Sequence, residues 1–207
     1  MRVIVVANGV MRSHFTLESD DVLIAADGGL RHCLDLGLQP AILIGDMDSI
    51  DEGDLAALEP SGTQILRYPT QKDFTDLELA LQHALNLGAD EIVIVAALGA
   101  RWDQTIANLL LPTSFPSVKI RLLDGSQEIH YIRAGENLEI HGRPGDIVSL
   151  IPLAGKASDI TTEHLEYPLY RDELTFGSTR GVSNVLLEAT GTISINGGLL
   201  LCIVIHT

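Results

Sequence analysis

Hydrophobic positions fall into two textures along this chain. As far as about Leu123, short unbroken apolar runs alternate with segments of helical periodicity. Val3–Ala7, Val22–Ala26, Ile42–Ile44, Ile92–Ala97 and Val118–Leu123 have strand length and are rich in β-branched residues. Runs that are apolar on both faces suit a parallel sheet covered by helices on each side. Helices are expected near Leu30–Leu36, Asp54–Leu58, Asp76–Leu87 and Asp103–Leu111. The third gives the clearest signal, because Leu77, Ala80, Leu81, Ala84 and Leu85 recur at helical spacing and Gly88 supplies a stop. A strand–helix repeat of this kind builds an α/β domain.

From about Gln127 the texture changes to short segments separated by Gly, Pro and Asn: Ile129–Ile132, Asn137–Ile140, Ile147–Ile151, Val185–Glu188, Thr192–Ile195 and Leu200–Ile205. Several alternate apolar with polar residues, as in Leu138-Glu139-Ile140-His141, which predicts an antiparallel β-sandwich or small barrel. The turn composition of Asp124-Gly125-Ser126 sets the border, giving an α/β domain over 1–124 and a β domain over 125–207.

Composition narrows the partners. The 207 residues carry 13 Lys+Arg against 28 Asp+Glu, a net charge of −15. That balance argues against sequence-independent nucleic-acid binding, which rests on neutralising phosphates with cations, and against docking on an anionic membrane. The longest apolar run, Leu199–Ile205, is far too short to span a bilayer, and Met1–Ala7 resembles a first strand more than a signal peptide. Cys33 and Cys202 stand far apart in apolar settings, fitting buried thiols in a reducing cytosol, with a disulfide as the alternative. A cytoplasmic protein is expected.

Chemistry collects where the strands end, and in open α/β sheets ligands sit outside the carboxyl ends of the strands. After the third run comes Gly45-Asp46-Met47-Asp48-Ser49. Residues two apart in extended backbone project to one side, so Asp46 and Asp48 could share a cation such as Mg²⁺; alternatively Asp48 and Ser49 cap the next helix. Lys72-Asp73-Phe74-Thr75-Asp76-Leu77-Glu78 opens the best helix. Thr75 and Glu78 fit a capping box, while Lys72 and Asp73 lie outside what capping explains. Gly99-Ala100-Arg101-Trp102-Asp103-Gln104 is a glycine turn into a helix, where Arg101 could grip phosphate oxygens and Asp103 could cap instead. Trp102, the only tryptophan, is expected in the core, with stacking on a ligand ring as the second reading. Asp27-Gly28-Gly29 either lets a nucleotide approach the backbone or is a simple turn. No P-loop, GxGxxG, HExxH or GxSxG string occurs. Clustered acids with one Lys and one Arg point to phosphoryl-group chemistry with a divalent ion.

Five strings in order resemble the thiamine pyrophosphokinase family: Ala26–Gly29, Gly45–Ser49, Lys72–Glu78, Gly99–Asp103 with Asn108 a helical turn on, and Thr179–Asn184. Ala100 stands where many members carry a second glycine, Gln104 where many carry His, and Val185 where a Glu often follows. The resemblance implies an α/β catalytic domain, a β-sandwich that helps bind thiamine, a homodimer with active sites at the subunit interface, and diphosphoryl transfer from ATP to thiamine. Carried over by position, Asp46, Asp48 and Asp76 would hold Mg²⁺. Asp27, Lys72, Arg101 and Asn108 would serve ATP, and Asp73, Asp76, Arg101 and Asp103 the chemistry. Ser183 and Asn184 would contact thiamine. Competing readings are a diphosphokinase for another hydroxymethyl heterocycle, such as a pterin, and a non-catalytic nucleotide- or thiamine-binding module.

Overall fold

Six strands of the first half lie side by side in parallel: β1 (Arg2–Val6), β2 (Val22–Ala26), β3 (Ile42–Gly45), β4 (Gln64–Arg67), β5 (Glu91–Val95) and β6 (Lys119–Asp124). Their order is β4-β3-β2-β1-β5-β6. Val3 of β1 sits opposite Val22 on one side and Ile92 on the other. Chain direction across the sheet therefore reverses between β1 and β5, the position where such sheets open a crevice.

The computed structural model describes residues 1–58, 62–99 and 101–207; Ala100 lies outside them. These divide into two units, Met1–Gly125 and Ser126–Thr207.

In the first unit the strands connect through α1 (Gly29–Asp35), α2 (Glu52–Leu58), α3 (Asp76–Asn86) and α4 (Trp102–Leu110). Leu30 and Cys33 of α1 and Leu58 of α2 pack with Ile4, Val6, Leu23, Ala25, Leu43, Val93 and Val95. The intervening strand residues face the other way, and α3 packs across β1, β2 and β3, burying Leu77, Ala80, Leu81 and Ala84. Each buried Leu, Ile or Val side chain contributes about 1.5–3 kcal/mol, so the apolar runs of β1, β2, β3 and β5 form rigid rods whose ends stay fixed. Between β1 and β2 the segment from Ala7 to Asp21 carries no helix. It is tied down by Arg12 to Asp124 at 3.0 Å and by Gly125 N–H donating to Ser13 Oγ at 2.9 Å.

The second unit is a sandwich of two antiparallel sheets. One has the order β12 (Asn184–Val185), β9 (Ile147–Pro152), β14 (Leu199–Ile205), β7 (Gln127–Arg133). The other runs β11 (Asp172–Thr175), β10 (Lys156–Glu163), β13 (Thr190–Ser194), β8 (Asn137–His141). Ile132, Val148, Leu150, Leu200, Cys202 and Val204 from one sheet meet Ile140, Ala157, Ile160, Leu174 and Ile193 from the other. The sandwich rather than the barrel is therefore the correct form.

Several elements depart from the sequence expectation. β4 was not expected: it pairs only with β3 at the sheet edge, and its Gln-Ile-Leu-Arg run is half exposed. β10 and β11 also escape the apolar pattern, since Asp159 sits in left-handed backbone (φ 53°) where the register shifts between Ala157 and Ile160. β12 is Asn184–Val185, so only Val185 of the expected 185–188 strand belongs to it. Cys33 and Cys202 are buried free thiols. No described helix is long and apolar enough to cross a membrane.

Candidate active site

The ends of β1 and β5 are stitched together by backbone. Ala7 N–H donates to Val95 O at 3.0 Å, Gly9 N–H to Ala96 O at 2.6 Å and Val10 N–H to Leu98 O at 2.8 Å. Only glycine fits at position 9, because a Cβ there would lie 2.4 Å from Ala96 O. Beside this stitch opens a cleft of about 590 Å³ whose polar lining includes Asn8, Asp46, Lys72, Asp76, Arg101 and Asn108.

Acids arrive at the cleft from neighbouring strand ends. Asp27 leaves β2 in left-handed backbone (φ 45°), and its N–H donates to Ile44 O at 2.7 Å. Asp46 and Asp48 leave β3 around Met47, itself left-handed (φ 67°) with its side chain buried in the core. Asp48 N–H donates to Asp46 Oδ1 at 3.2 Å and Ser49 Oγ to Asp48 Oδ1 at 3.1 Å. That turn places neither Asp48 nor Ser49 next to α2, which starts at Glu52, so the capping alternative falls. Carboxylate oxygens of Asp27, Asp46 and Asp48 all lie within 4.8 Å of one another.

Lys72 sits opposite. Its Nζ is 3.4 Å from Asp46 Oδ2 and 3.1 Å from Asp76 Oδ1, the latter too oblique for a hydrogen bond. Asp76 opens α3 directly after Thr75, whose Oγ1 accepts from Glu78 N–H at 3.2 Å. The cap therefore forms and also fixes the Asp76 backbone. Asp76 lies outside the three-acid group and joins it through charge.

The protonation pattern follows from these contacts. The Asp48 N–H holds the Asp46 carboxyl below the usual range, with Lys72 helping against burial. Burial pushes Asp76 up, Lys72 opposes it, and the Asp27 and Asp46 charges push the same way as burial. Burial would lower Lys72, but Asp76 and Asp46 outweigh it and keep the ammonium charged. Asp27 Oδ1 and Asp76 Oδ1 are buried without a hydrogen-bond partner. Such oxygens are costly unless something satisfies them. Hard carboxylate oxygens, two of them orphaned, form a donor set that fits Mg²⁺.

On the far side, Arg101 precedes α4 as its N-cap residue without a side-chain cap. Its guanidinium makes a two-point pair with Asp103, 2.6 Å from NH2 to Oδ2 and 3.2 Å from Nε to Oδ1. Asp103 is thus bound to Arg101 in the first turn and is not the cap. Their side chains are 72% and 65% exposed, so the pair is open to exchange partners. The core expectation for Trp102 is overturned: it is 76% exposed, and the face of α4 that turns inward belongs to Thr105 and Asn108. Asn108 Nδ2 donates to Ala97 O at 2.7 Å while the residue lines the cleft.

The remaining candidates stand apart. Asp73 is exposed, makes no hydrogen bond among the described residues and is absent from the cleft lining. In the second unit Ser183 is exposed in left-handed backbone (φ 62°), its N–H donating to Ser149 Oγ at 3.0 Å. The Asn184 amide is committed to backbone: Oδ1 accepts from Tyr167 N–H at 3.0 Å and Nδ2 donates to Tyr167 O at 2.8 Å. Sequence reasoning missed that Asp27 joins Asp46 and Asp48, because pairing across strands decides it. It also missed Thr105, whose only sequence signal is a hydroxyl early in a helix.

Carboxylates from adjacent strand ends around one lysine, beside the crevice at the β1–β5 switch point, have the make-up that an α/β phosphotransferase needs. Residues 14–122 match the family model for the thiamin pyrophosphokinase catalytic domain, and residues 129–200 match that for the thiamin pyrophosphokinase vitamin B1 binding domain. A thiamine pyrophosphokinase of Bacillus subtilis is 34% identical over 87% of this chain and 85% of its own length. The crystal structure of thiamine pyrophosphokinase from Bacillus subtilis superimposes with a TM-score of 0.90 at 30% identity, covering 100% of this chain and 99% of that one. One of a thiamin pyrophosphokinase family protein from Enterococcus faecalis gives 0.86 at 27% identity, covering 100% of both. The chain belongs to the thiamin pyrophosphokinase family, a family of enzymes.

Proposed function

We propose that this chain transfers a diphosphoryl group from ATP to the hydroxyl of thiamine, releasing AMP and thiamine diphosphate. The observation that carries this reading is the cleft where Asp46, Lys72, Asp76 and Arg101 converge beside the Asp27–Asp46–Asp48 group. Family models matching both halves favour thiamine over another hydroxymethyl heterocycle and a catalyst over a mere binding module.

In this reading residues 1–124 bind ATP and carry the chemistry, and residues 125–207 bind thiamine. Asp46, Asp48 and Asp76 would hold Mg²⁺, with Asp27 added by its place in the acid group. When bound, Mg²⁺ neutralises charge on the phosphate oxygens. Lys72, held between Asp46 and Asp76, presents a fixed ammonium to the β,γ-phosphates. Arg101 exchanges Asp103 for phosphate oxygens, which match its fork in the same two-point way. The thiamine oxygen bonds to the β-phosphorus as the α,β-bridging bond breaks, and AMP leaves with the electron pair. Positioning and charge neutralisation supply most of the acceleration. A nearby carboxylate, Asp73 or Asp103, accepts the hydroxyl proton: Asp73 is unengaged, and Asp103, paired with Arg101 at rest, is released when Arg101 turns to phosphate. Asn108 lines the nucleotide side, chiefly by fixing Ala97, and Asp27 serves ATP through its place in the acid group beside the cleft. Ser183 meets thiamine by its exposed hydroxyl, and Asn184 supports the loop around Tyr167. The working form is a homodimer, with the thiamine side of each site supplied by a second copy. Two free buried thiols fit a reducing cytoplasm.

The test is incubation with ATP, Mg²⁺ and thiamine, with mass detection of AMP and thiamine diphosphate, beside arms with EDTA and with a pterin alcohol. Product only with thiamine and only with the metal is expected. Equal turnover of the pterin, or no AMP release despite ligand binding, would overturn the reading.

A further inference from the structure

We infer that Thr105 is a positioning residue for this reaction, its hydroxyl fixing the loop that brings Arg101 to the cleft. The inference rests on the reading of Arg101 as a phosphate contact.

One hydroxyl meets both polar groups of one residue. Thr105 Oγ1 accepts from Gly99 N–H at 3.2 Å and donates to Gly99 O at 3.2 Å, a pair that a hydroxyl with one proton and two lone pairs can make at once. Threonines within helices commonly bond back to a carbonyl three or four residues earlier. Thr105 instead reaches six residues back, out of the helix and into the β5–α4 connection. Its own N–H meanwhile donates to Arg101 O at 2.9 Å. A single buried residue, 9% exposed, therefore ties the segment at both Gly99 and Arg101.

Among the described residues, no other α4 side chain bonds to Gly99. Arg101 caps the helix without a side-chain bond, and the Arg101–Asp103 pair is exposed and cannot anchor itself. The connection is clamped from two directions. Backbone N–H groups of Gly9 and Val10 hold Ala96 O and Leu98 O from the β1 side, while Thr105 and Asn108 hold Gly99 and Ala97 O from the α4 side. Ala96 is bent into left-handed backbone (φ 54°) within this clamp, a conformation that persists only where the surroundings impose it. Thr105 and Asn108 stand one helical turn apart on the buried face, so both reach the strand end.

The experiment uses the full chain as wild type, Thr105→Val, Thr105→Ser, Arg101→Ala and the Thr105→Val/Arg101→Ala double variant. Steady-state kinetics in Mg²⁺, with ATP varied at saturating thiamine and thiamine varied at saturating ATP, are read beside thermal unfolding and calorimetric ATP binding. Small displacements of a positioned group cost up to about a hundredfold. Thr105→Val is therefore expected to lower kcat/KM for ATP by about tenfold to a hundredfold while KM for thiamine holds. Thr105→Ser, which keeps the hydroxyl, should return to within about threefold of wild type. In the Arg101→Ala background the valine change should cost no more than about threefold further, because residues acting through one contact are not additive. Equal impairment of Ser and Val, an equal valine penalty in both backgrounds, or a valine protein that fails to fold would each overturn the inference. A wild type that binds ATP yet releases no AMP would strike the functional reading instead, and ATP affinity of the valine variant would still decide the role of Thr105.

Discussion

Replacing Lys72 by methionine tests the electrostatic logic of the site directly. The side chain keeps its length and its apolar stem, so the loss is one ammonium. That ammonium lies 3.1 Å from Asp76 and 3.4 Å from Asp46. At an effective dielectric near 20, each contact is worth about 5 kcal/mol of gross attraction. Desolvation cancels much of it: breaking a fully buried pair costs about 3–5 kcal/mol. Here the lysine is 12% exposed and Asp76 24%, so we expect a net loss of about 2–3 kcal/mol. For a chain of this size that lowers Tm by about 5–10 °C. The sign with pH is definite. Without the cation, Asp76, already pushed up by burial, binds protons still more readily in the folded state, and Asp46 binds them more readily than it does in wild type. The stability deficit is then largest near neutral pH and shrinks as acid protonates both. Mg²⁺ should restore more stability to the variant than it adds to wild type, since a divalent ion supplies the missing charge. Far-UV circular dichroism melts at pH 7.5 and 4.5, in EDTA and in Mg²⁺, read all of this. Fluorescence is the poorer probe because Trp102 is 76% exposed. A variant as stable as wild type in EDTA at pH 7.5, or a deficit equal at both pH values, would refute the reasoning. Turnover should also fall by about a hundredfold to a thousandfold, the range seen when a transition-state donor is removed.

Asp46→Asn and Asp76→Asn should each lower kcat by orders of magnitude with circular dichroism unchanged; normal turnover in both would remove the metal assignment. Because burial and the Asp27 and Asp46 charges already disfavour ionised Asp76, its replacement should leave the melting temperature equal or higher, which calorimetry checks. Arg101→Ala should raise KM for ATP with no change in Tm, since its partner Asp103 is a surface carboxylate; an unchanged ATP response counts against the phosphate role. Asp146→Asn probes the second unit. Burial pushes Asp146 up, yet bonds from His206, Thr207 N–H and Arg143 N–H prevail and hold it at about 2, against an ordinary 3.8. That depression contributes about 2 kcal/mol above pH 3.8, lost as pH falls through about 2. The Asn variant should lose that amount in urea unfolding at pH 7 and converge on wild type in acid.

The architecture could be read in the chain wherever apolar pattern and burial coincide. β1, β2, β3 and β5 are continuous apolar runs because both their faces are covered, and α3 keeps its stripe because it lies across three strands. Pattern failed where an element is half exposed or bent, as in β4 at the sheet edge and β10 around Asp159. Trp102 shows the limit of residue type as a guide. Its size suggests the core, but it occupies the outward position of α4, while smaller Thr105 and Asn108 take the inward ones and bond to the strand end. Among the acids, order along the chain indicated that strand ends carry the chemistry. It could not reveal which oxygens meet, since Asp27 joins Asp46 and Asp48 through the β2–β3 pairing, where Asp27 N–H bonds Ile44 O.

Strain in the first unit is not spread at random. Its non-glycine residues with left-handed backbone, among those described, are Asp27, Met47 and Ala96, and they follow β2, β3 and β5 on the cleft side. Each such residue costs about 1–3 kcal/mol. To these costs the same region adds two buried carboxylate oxygens without hydrogen-bond partners, of which Asp76 Oδ1 has only the Lys72 charge beside it, and three close acids. Sheet and helices must supply the offset, and the fully buried side chains of Ile24, Leu43, Ile44, Ile92 and Ile94 do so from the strands that carry the strained turns. Turns this unfavourable persist because the strands beneath them cannot move. The tight positions they create are what bring Asp27 beside Asp46 and hold Gly99 within reach of Thr105. The core and the site are thus one arrangement: the strands are over-stabilised so that their ends can be held where relaxed backbone would not go.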